Sequence, residues 1–191
     1  MVQQSSTEEE LKKQKRPNLS AQVNFLSYEN IDCLMLDSVC KLGKVSEEEF
    51  SVLCNLLQIL FRNINRPFTP FYSCQECLDN LVREGRLFQI GISKPEFKSN
   101  PEAVRNVENE LKKILSEGHY RIYREVINEL SRTKDRLTKL YGLEKAAIAY
   151  EKLPEHLKID FIKSSAYVQS EYQAKRLLSK IEGWIKSGRY A

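Results

Sequence analysis

Turn formers are scarce in this chain. Seven glycines and six prolines in 191 residues are too few for a loop-rich or all-β architecture. Histidine is scarcer still. His119 and His156 stand far apart, and neither has a neighbouring ligand set for zinc or an evident partner for general-base work. The chain contains no Gly-x-Gly-x-x-Gly, no Walker-type loop, no Gly-x-Ser-x-Gly and no His-Glu-x-x-His, which removes the common nucleotide, hydrolase and zinc-protease signatures. No cofactor, no metal and no catalytic residue is therefore expected. No apolar run reaches the length of about 18 residues that marks a membrane span. The N-terminus lacks the apolar segment of a signal peptide, and Glu8, Glu9 and Glu10 oppose a mitochondrial presequence. The expected location is cytoplasmic or nuclear. Self-similarity at 33–47 residues is also missing, which disfavours a helical solenoid.

Helix formers fill the space that turn formers leave. The most informative segment is Ser46–Ile64. Ser46 and Glu49 have the spacing of a capping box, and Glu47, Glu48 and Glu49 oppose the positive end of the helix dipole. Phe50, Leu53, Leu57, Leu60 and Ile64 then form one apolar face, with Cys54 and Phe61 beside it. Val52, Leu56 and Ile59 form a second. A helix that is apolar on two sides is buried on two sides, in its own core or against a partner.

The spacing of caps and breakers predicts the other helices. Ser27 opens one over Tyr28–Leu42, closed by Gly43. The short link Gly43–Val45 makes it an antiparallel hairpin with the next helix. Asn65–Tyr72 is a proline–aromatic linker that Phe68, Phe71 and Tyr72 pin to a surface. Ser73 and Glu76 form a second capping box, opening a helix from Cys74 to Glu84. Arg86–Ile92 has strand character but no evident hairpin partner, so it is expected as an extended connection. Ser93 and Glu96 repeat the cap spacing beside Pro95, and Asn100-Pro101 signals a helix start for a helix running to Gly118. A long helix is expected over His119–Tyr141, ended by Gly142, with His119 placed to cap the preceding helix as an imidazolium. Helical residues continue to Lys152. Further helices are expected from Pro154 and over 166–186.

The cysteines number five. Cys33, Cys40 and Cys54 sit in apolar helical patterns and behave as small hydrophobes. Cys74-Gln-Glu-Cys77 allows a redox pair at a helix N-terminus or half of a zinc site. No βαβ framework and no second Cys-x-x-Cys accompanies it, so both cysteines are expected to extend the inward face of Leu78, Leu81 and Val82. All five are expected to be free thiols.

The net charge of +4 is unevenly spread. Residues 28–63 carry six acids and three bases, residues 119–141 carry three acids and six bases, and residues 163–191 carry two acids and six bases. The basic half suits nucleic acid or an acidic partner. Arg121, Arg124, Arg132, Arg136 and Lys139 are the candidate nucleic-acid contacts, beside Tyr120 and Tyr123. Lys12, Lys13, Lys15 and Arg16 form a basic cluster with the character of a nuclear import signal.

Two patterns echo known architectures. The helix, turn, helix order ending in CLDNLVREGRLFQI suggests a winged helix, although its β-wing is not legible. VSEEEFSVLCNLLQILF and LFQIGISKPEF resemble, in pattern, the N-terminal helical domain of COMM-domain proteins. The β-rich module that defines that family is not visible, since residues 119–191 read as helices, and no residue role is carried over.

The expected fold is all-α: a bundle of six to eight mostly antiparallel helices with one short extended connection. A polar tail spans 1–18, an N-terminal helical subdomain 19–118, and a basic helical hairpin or subdomain 119–191, packed on the first. The expected function is a non-enzymatic protein–protein interaction module, an adaptor or a subunit of a larger assembly. Its partner is another protein or a second copy, contacted through Val52, Leu56, Ile59, Phe68, Phe71 and Tyr72. The alternative is a nucleic-acid-associated protein using the basic C-terminal helices.

Overall fold

The computed structural model describes residues 24–152. The polar tail, the basic cluster at 12–16, His156 and the helices expected from Pro154 and over 166–186 lie outside the described residues.

Six helices and a three-stranded antiparallel sheet make up the described part. The fold is α+β with helices dominant, rather than all-α. Helix α1 (Tyr28–Leu42) leads into strand β1 (Lys44–Ser46) and helix α2 (Glu47–Asn63). Helix α3 (Cys74–Arg83) is followed by strands β2 (Leu87–Ile90) and β3 (Glu96–Ser99). Helices α4 (Val107–Ile114), α5 (Glu117–Arg132) and α6 (Arg136–Glu151) complete it.

Three cap signals act as their chemistry requires. Ser27, Ser46 and Ser73 each accept from the backbone N–H three residues on. Glu49 and Glu76 return the bond to the Ser46 and Ser73 amides at 2.9 and 2.8 Å, completing both capping boxes. Gly43 takes φ +84°, a conformation that side chains resist, and lets α1 turn directly into β1.

The sheet is the main departure from expectation. Arg86–Ile92 does have a hairpin partner: β2 pairs with β3, Leu87 opposite Ser99 and Ile90 opposite Glu96. β1 pairs with the other edge of β3, Val45 opposite Phe97. Ser93-x-x-Glu96 is therefore a hairpin turn and not a helix cap, and Glu96 forms an ion pair with Lys44 at 2.7 Å across the sheet. Inward alternation explains why these short strands hold. Val45, Leu87 and Phe97 are buried, joining the core from one face.

The C-terminal helices also break where the glycines do not. Asn100 caps a turn over 101–106, accepting from the Glu102 amide at 3.1 Å, and α4 begins only at Val107. Ser116 caps α5, so Gly118 lies inside that helix. The expected helix His119–Tyr141 is two helices. Thr133 ends the first, and Asp135 caps the second by accepting from Thr138. Gly142 lies inside α6.

One hydrophobic cluster runs through all the described helices. Phe50, Leu53 and Leu57 of α2 are fully buried, and Val52 and Leu56 on its other side are buried too. The partner of the second side is α6, which packs along α2 more extensively than any other described element pair. Leu140, Leu143, Ala146, Ala147 and Tyr150 line its buried side. Arg136 fastens the start of α6. Its guanidinium donates to both oxygens of Glu49 at 3.1 Å and to the Leu42 and Lys44 carbonyls. Tyr123 ties α5 to α1, donating to Asp37 at 2.6 Å while fully buried.

Candidate functional site

The linker between α2 and α3 separates two kinds of aromatic residue. Phe68 is buried, in ring contact with Phe61 at 6.0 Å. The backbone beside it bridges to Leu26, whose N–H donates to the Pro67 carbonyl at 2.8 Å. Phe71, three residues on, is 98% exposed. It also takes φ +66°, a region a bulky side chain seldom enters. Such positions concentrate where a surface is shaped for function.

Phe71 is among the residues that line a recess of about 370 Å³. Tyr28, from the first turn of α1, and Tyr72 form its aromatic wall, with ring centroids 4.6 Å apart. Helix α3 supplies Glu76, Asp79, Asn80 and Arg83 to the lining.

A buried network holds the wall in place. The Tyr72 hydroxyl donates to the carboxylate of Asp32 and accepts from Asn80 at 3.0 Å. Asp32 is buried in α1, and that burial raises its pKa, opposed by the bond from Tyr72. Burial and the same carboxylate push the Tyr72 hydroxyl well up, so it stays protonated. Cys77 lies on the inner side, its thiol also pushed far up by burial and Asp32. The carboxylates of the recess are oriented too: Glu76 by the Ser73 amide, Asp79 by Gln75 at 2.9 Å.

The cysteine expectation needs correction. Cys54 of α2 and Cys74 are joined in a disulfide, with Cα atoms 5.8 Å apart. Cys33, Cys40 and Cys77 are free. Cys74 therefore pairs across to α2 and not along its own helix to Cys77. The bridge clamps the helix that carries half of the recess. Among the described residues no group of His, Cys, Asp and Glu is arranged to hold a metal ion. No described helix is long and apolar enough to cross a membrane.

Compared with known proteins, the chain matches no family model, no curated protein and no solved structure.

Of the six candidate partner contacts, Phe71 and Tyr72 meet at the recess. Val52, Leu56 and Phe68 are core residues, and Ile59 packs partly buried against the core. Their apolar character serves α6 and the linker, so they offer no free surface. Tyr28, Glu76 and Asp79 were missed. Tyr28 precedes Ile31 and Met35 on the apolar stripe of its helix, a pattern that marks it for the core rather than for a surface site.

The candidate nucleic-acid contacts scatter. Arg121 and Arg124 line a cavity of about 520 Å³ with Lys112 and Tyr120, but Glu108 and Glu117 share it. Arg121 pairs with Glu117 at 2.7 Å, and Lys139 with Glu129 at 3.1 Å. Arg136 is the structural clamp on Glu49. Arg132 is exposed at the end of α5. His119 is half-buried, and burial with the Arg66 charge lowers its pKa. That favours neutral imidazole, against the imidazolium cap expected.

A second apolar surface lies on the hairpin. Phe88 and Ile90 point to the outer side of β2, and Ile92 at the turn is 96% exposed.

Proposed function

We propose that this chain is a non-enzymatic protein–protein interaction module that engages its partner through the α3 face and the loop before it. The observation that carries this reading is Phe71, a large ring held in solvent at positive φ beside two more aromatic rings. Aromatic residues at a concave, partly apolar site are the usual anchors of protein interfaces. The element order α1, β1, α2, α3, β2, β3 resembles a winged helix, with β2–β3 as the wing. In that arrangement α3 is the helix that would meet a nucleic-acid groove. Its exposed charged positions are Glu76 and Asp79 against one base, Arg83, and such a face repels phosphate. The internal pairing of Arg121, Arg136 and Lys139 further weakens the nucleic-acid alternative.

The test is affinity purification from extract with the full chain, nuclease-treated, comparing wild type with Phe71→Ser. A partner retained by wild type and lost by the variant is the expected result. Tight oligonucleotide binding that weakens steeply with salt and is unaffected by Phe71→Ser would replace this reading with the nucleic-acid one.

A further inference from the structure

The geometry points to the Tyr28–Phe71–Tyr72 recess as a receptor for the cationic head of a lysine or arginine side chain on a protein partner. This rests on the interaction-module reading and adds the chemistry of the ligand. Three aromatic rings come together here from two chain segments. Ring faces are the negative part of an aromatic quadrupole, and a cation over them is attracted. The Tyr72 hydroxyl donates to the Asp32 carboxylate, which leaves the ring richer in electrons and fixes its orientation. Glu76 and Asp79 lie beside the rings. With Arg83 counted, the recess carries one net negative charge among its lining groups, two carboxylates against one guanidinium. Arg83 is turned onto its own helix, donating to the Asn80 side chain. A volume of about 370 Å³ takes a whole side chain, stem against the rings and charged head at the carboxylates. An anionic ligand would meet two carboxylates, and a purely apolar one would strand them without water.

The test is a titration of the 15N-labelled full chain with Ac-Gly-Gly-Xaa-Gly-Gly-amide peptides, Xaa being lysine, arginine, norleucine or glutamate, followed by amide chemical shifts. The lysine and arginine peptides should shift Tyr28 and residues 71–80, at least tenfold tighter than norleucine, with glutamate inert. Phe71→Ser and Asp79→Asn should each weaken the lysine peptide severalfold at unchanged Tm. Phe71 is solvent-exposed, so its loss removes no core packing. Equal binding of norleucine would overturn the cation assignment while leaving an apolar-anchor interface standing. Shifts confined to other residues, or no shift with any peptide, would also overturn it. Self-association abolished by Phe71→Ser would do the same, giving the recess to a second copy. Loss of the cation assignment is thus distinct from loss of the interaction module, which would show as unchanged partner capture by Phe71→Ser.

Discussion

Phe71 and Leu57 are both large apolar residues on adjoining segments, yet they have opposite energetics. Leu57 is fully buried in α2. Leu57→Ala should destabilise by about 2–5 kcal/mol, the cost of a cavity that close-packed neighbours cannot refill. Urea denaturation giving a loss below about 1 kcal/mol would mean that this face of α2 is not close-packed core. Phe71 gains nothing from burial and carries a left-handed backbone that costs a side chain about 1–2 kcal/mol. Phe71→Gly relieves that strain but adds about 0.4–1 kcal/mol of unfolded-state freedom. A net gain of up to about 1 kcal/mol is expected in the same measurement, with partner binding lost. A clear drop in stability would show that the ring packs against its own fold. The sequence shows that Phe68 and Phe71 are aromatic in one linker. It does not show that one turns in and the other out, because that depends on the Leu26–Pro67 backbone bridge, a contact between distant segments.

Helices were legible where a cap was chemically complete, and illegible where a tertiary partner decided. Ser27, Ser46 and Ser73 start their helices as their spacing demands. β1 is three residues long, too short for a period, and exists because β3 lies beside it. Ser93 and Glu96 carried the cap spacing yet form part of a hairpin, since β1 and β2 both pair with residues around Phe97. The basic helices depart from their sequence pattern for a related reason. Arg136 reads as a surface cation, but it joins the start of α6 to the α2 capping box and the α1 C-terminus. Arg136→Met should cost about 2 kcal/mol, the range of charge-assisted hydrogen bonds left unpaired, as a shift in urea midpoint. A silent substitution would return Arg136 to the pool of free surface charges. His119 makes the α5 terminus pH-sensitive. Its folded pKa lies below the ordinary 6.5 because burial and Arg66 oppose the proton. As pH falls through 6.5 the unfolded chain takes up a proton that the folded chain refuses, so stability falls. The loss levels off below the folded pKa. Comparing urea midpoints at pH 8 and pH 5.5 should show His119→Gln losing less than wild type. Equal losses would mean that His119 titrates freely in the fold.

At the scale of the molecule, one core is shared by α1 to α6, with Ile31 to Val39 of α1 buried without a break, and the disulfide joins α2 to α3. Cys54 and Cys74 lie 20 residues apart in sequence, with Phe68, Phe71 and Tyr72 inside the loop they close. The linker carries two positive-φ residues, Asn65 and Phe71, so its shape depends on fixed ends. The Cys74-x-x-Cys77 spacing draws attention to the wrong pair, because α2 and α3 come together only in the folded chain. Closing a loop of that length removes unfolded-state freedom worth about 3 kcal/mol. Reduction should therefore lower stability by about that amount and weaken binding at the recess, since Cys74 opens the helix that carries Glu76 and Asp79. Thiol titration in denaturant without reductant should find three reactive cysteines, rising to five after reduction. In the folded chain Cys40, exposed on α1, should be alkylated first. Cys33 should lag far behind, because burial, helped by the nearby Glu110 carboxylate, pushes its thiol up to about 12 and little thiolate is present to react. Cys54→Ser should reproduce the stability loss and make reductant inert. Five reactive thiols in chain kept from reductant throughout would remove the bridge, and the recess would then depend on packing and the Asp32–Tyr72–Asn80 network alone.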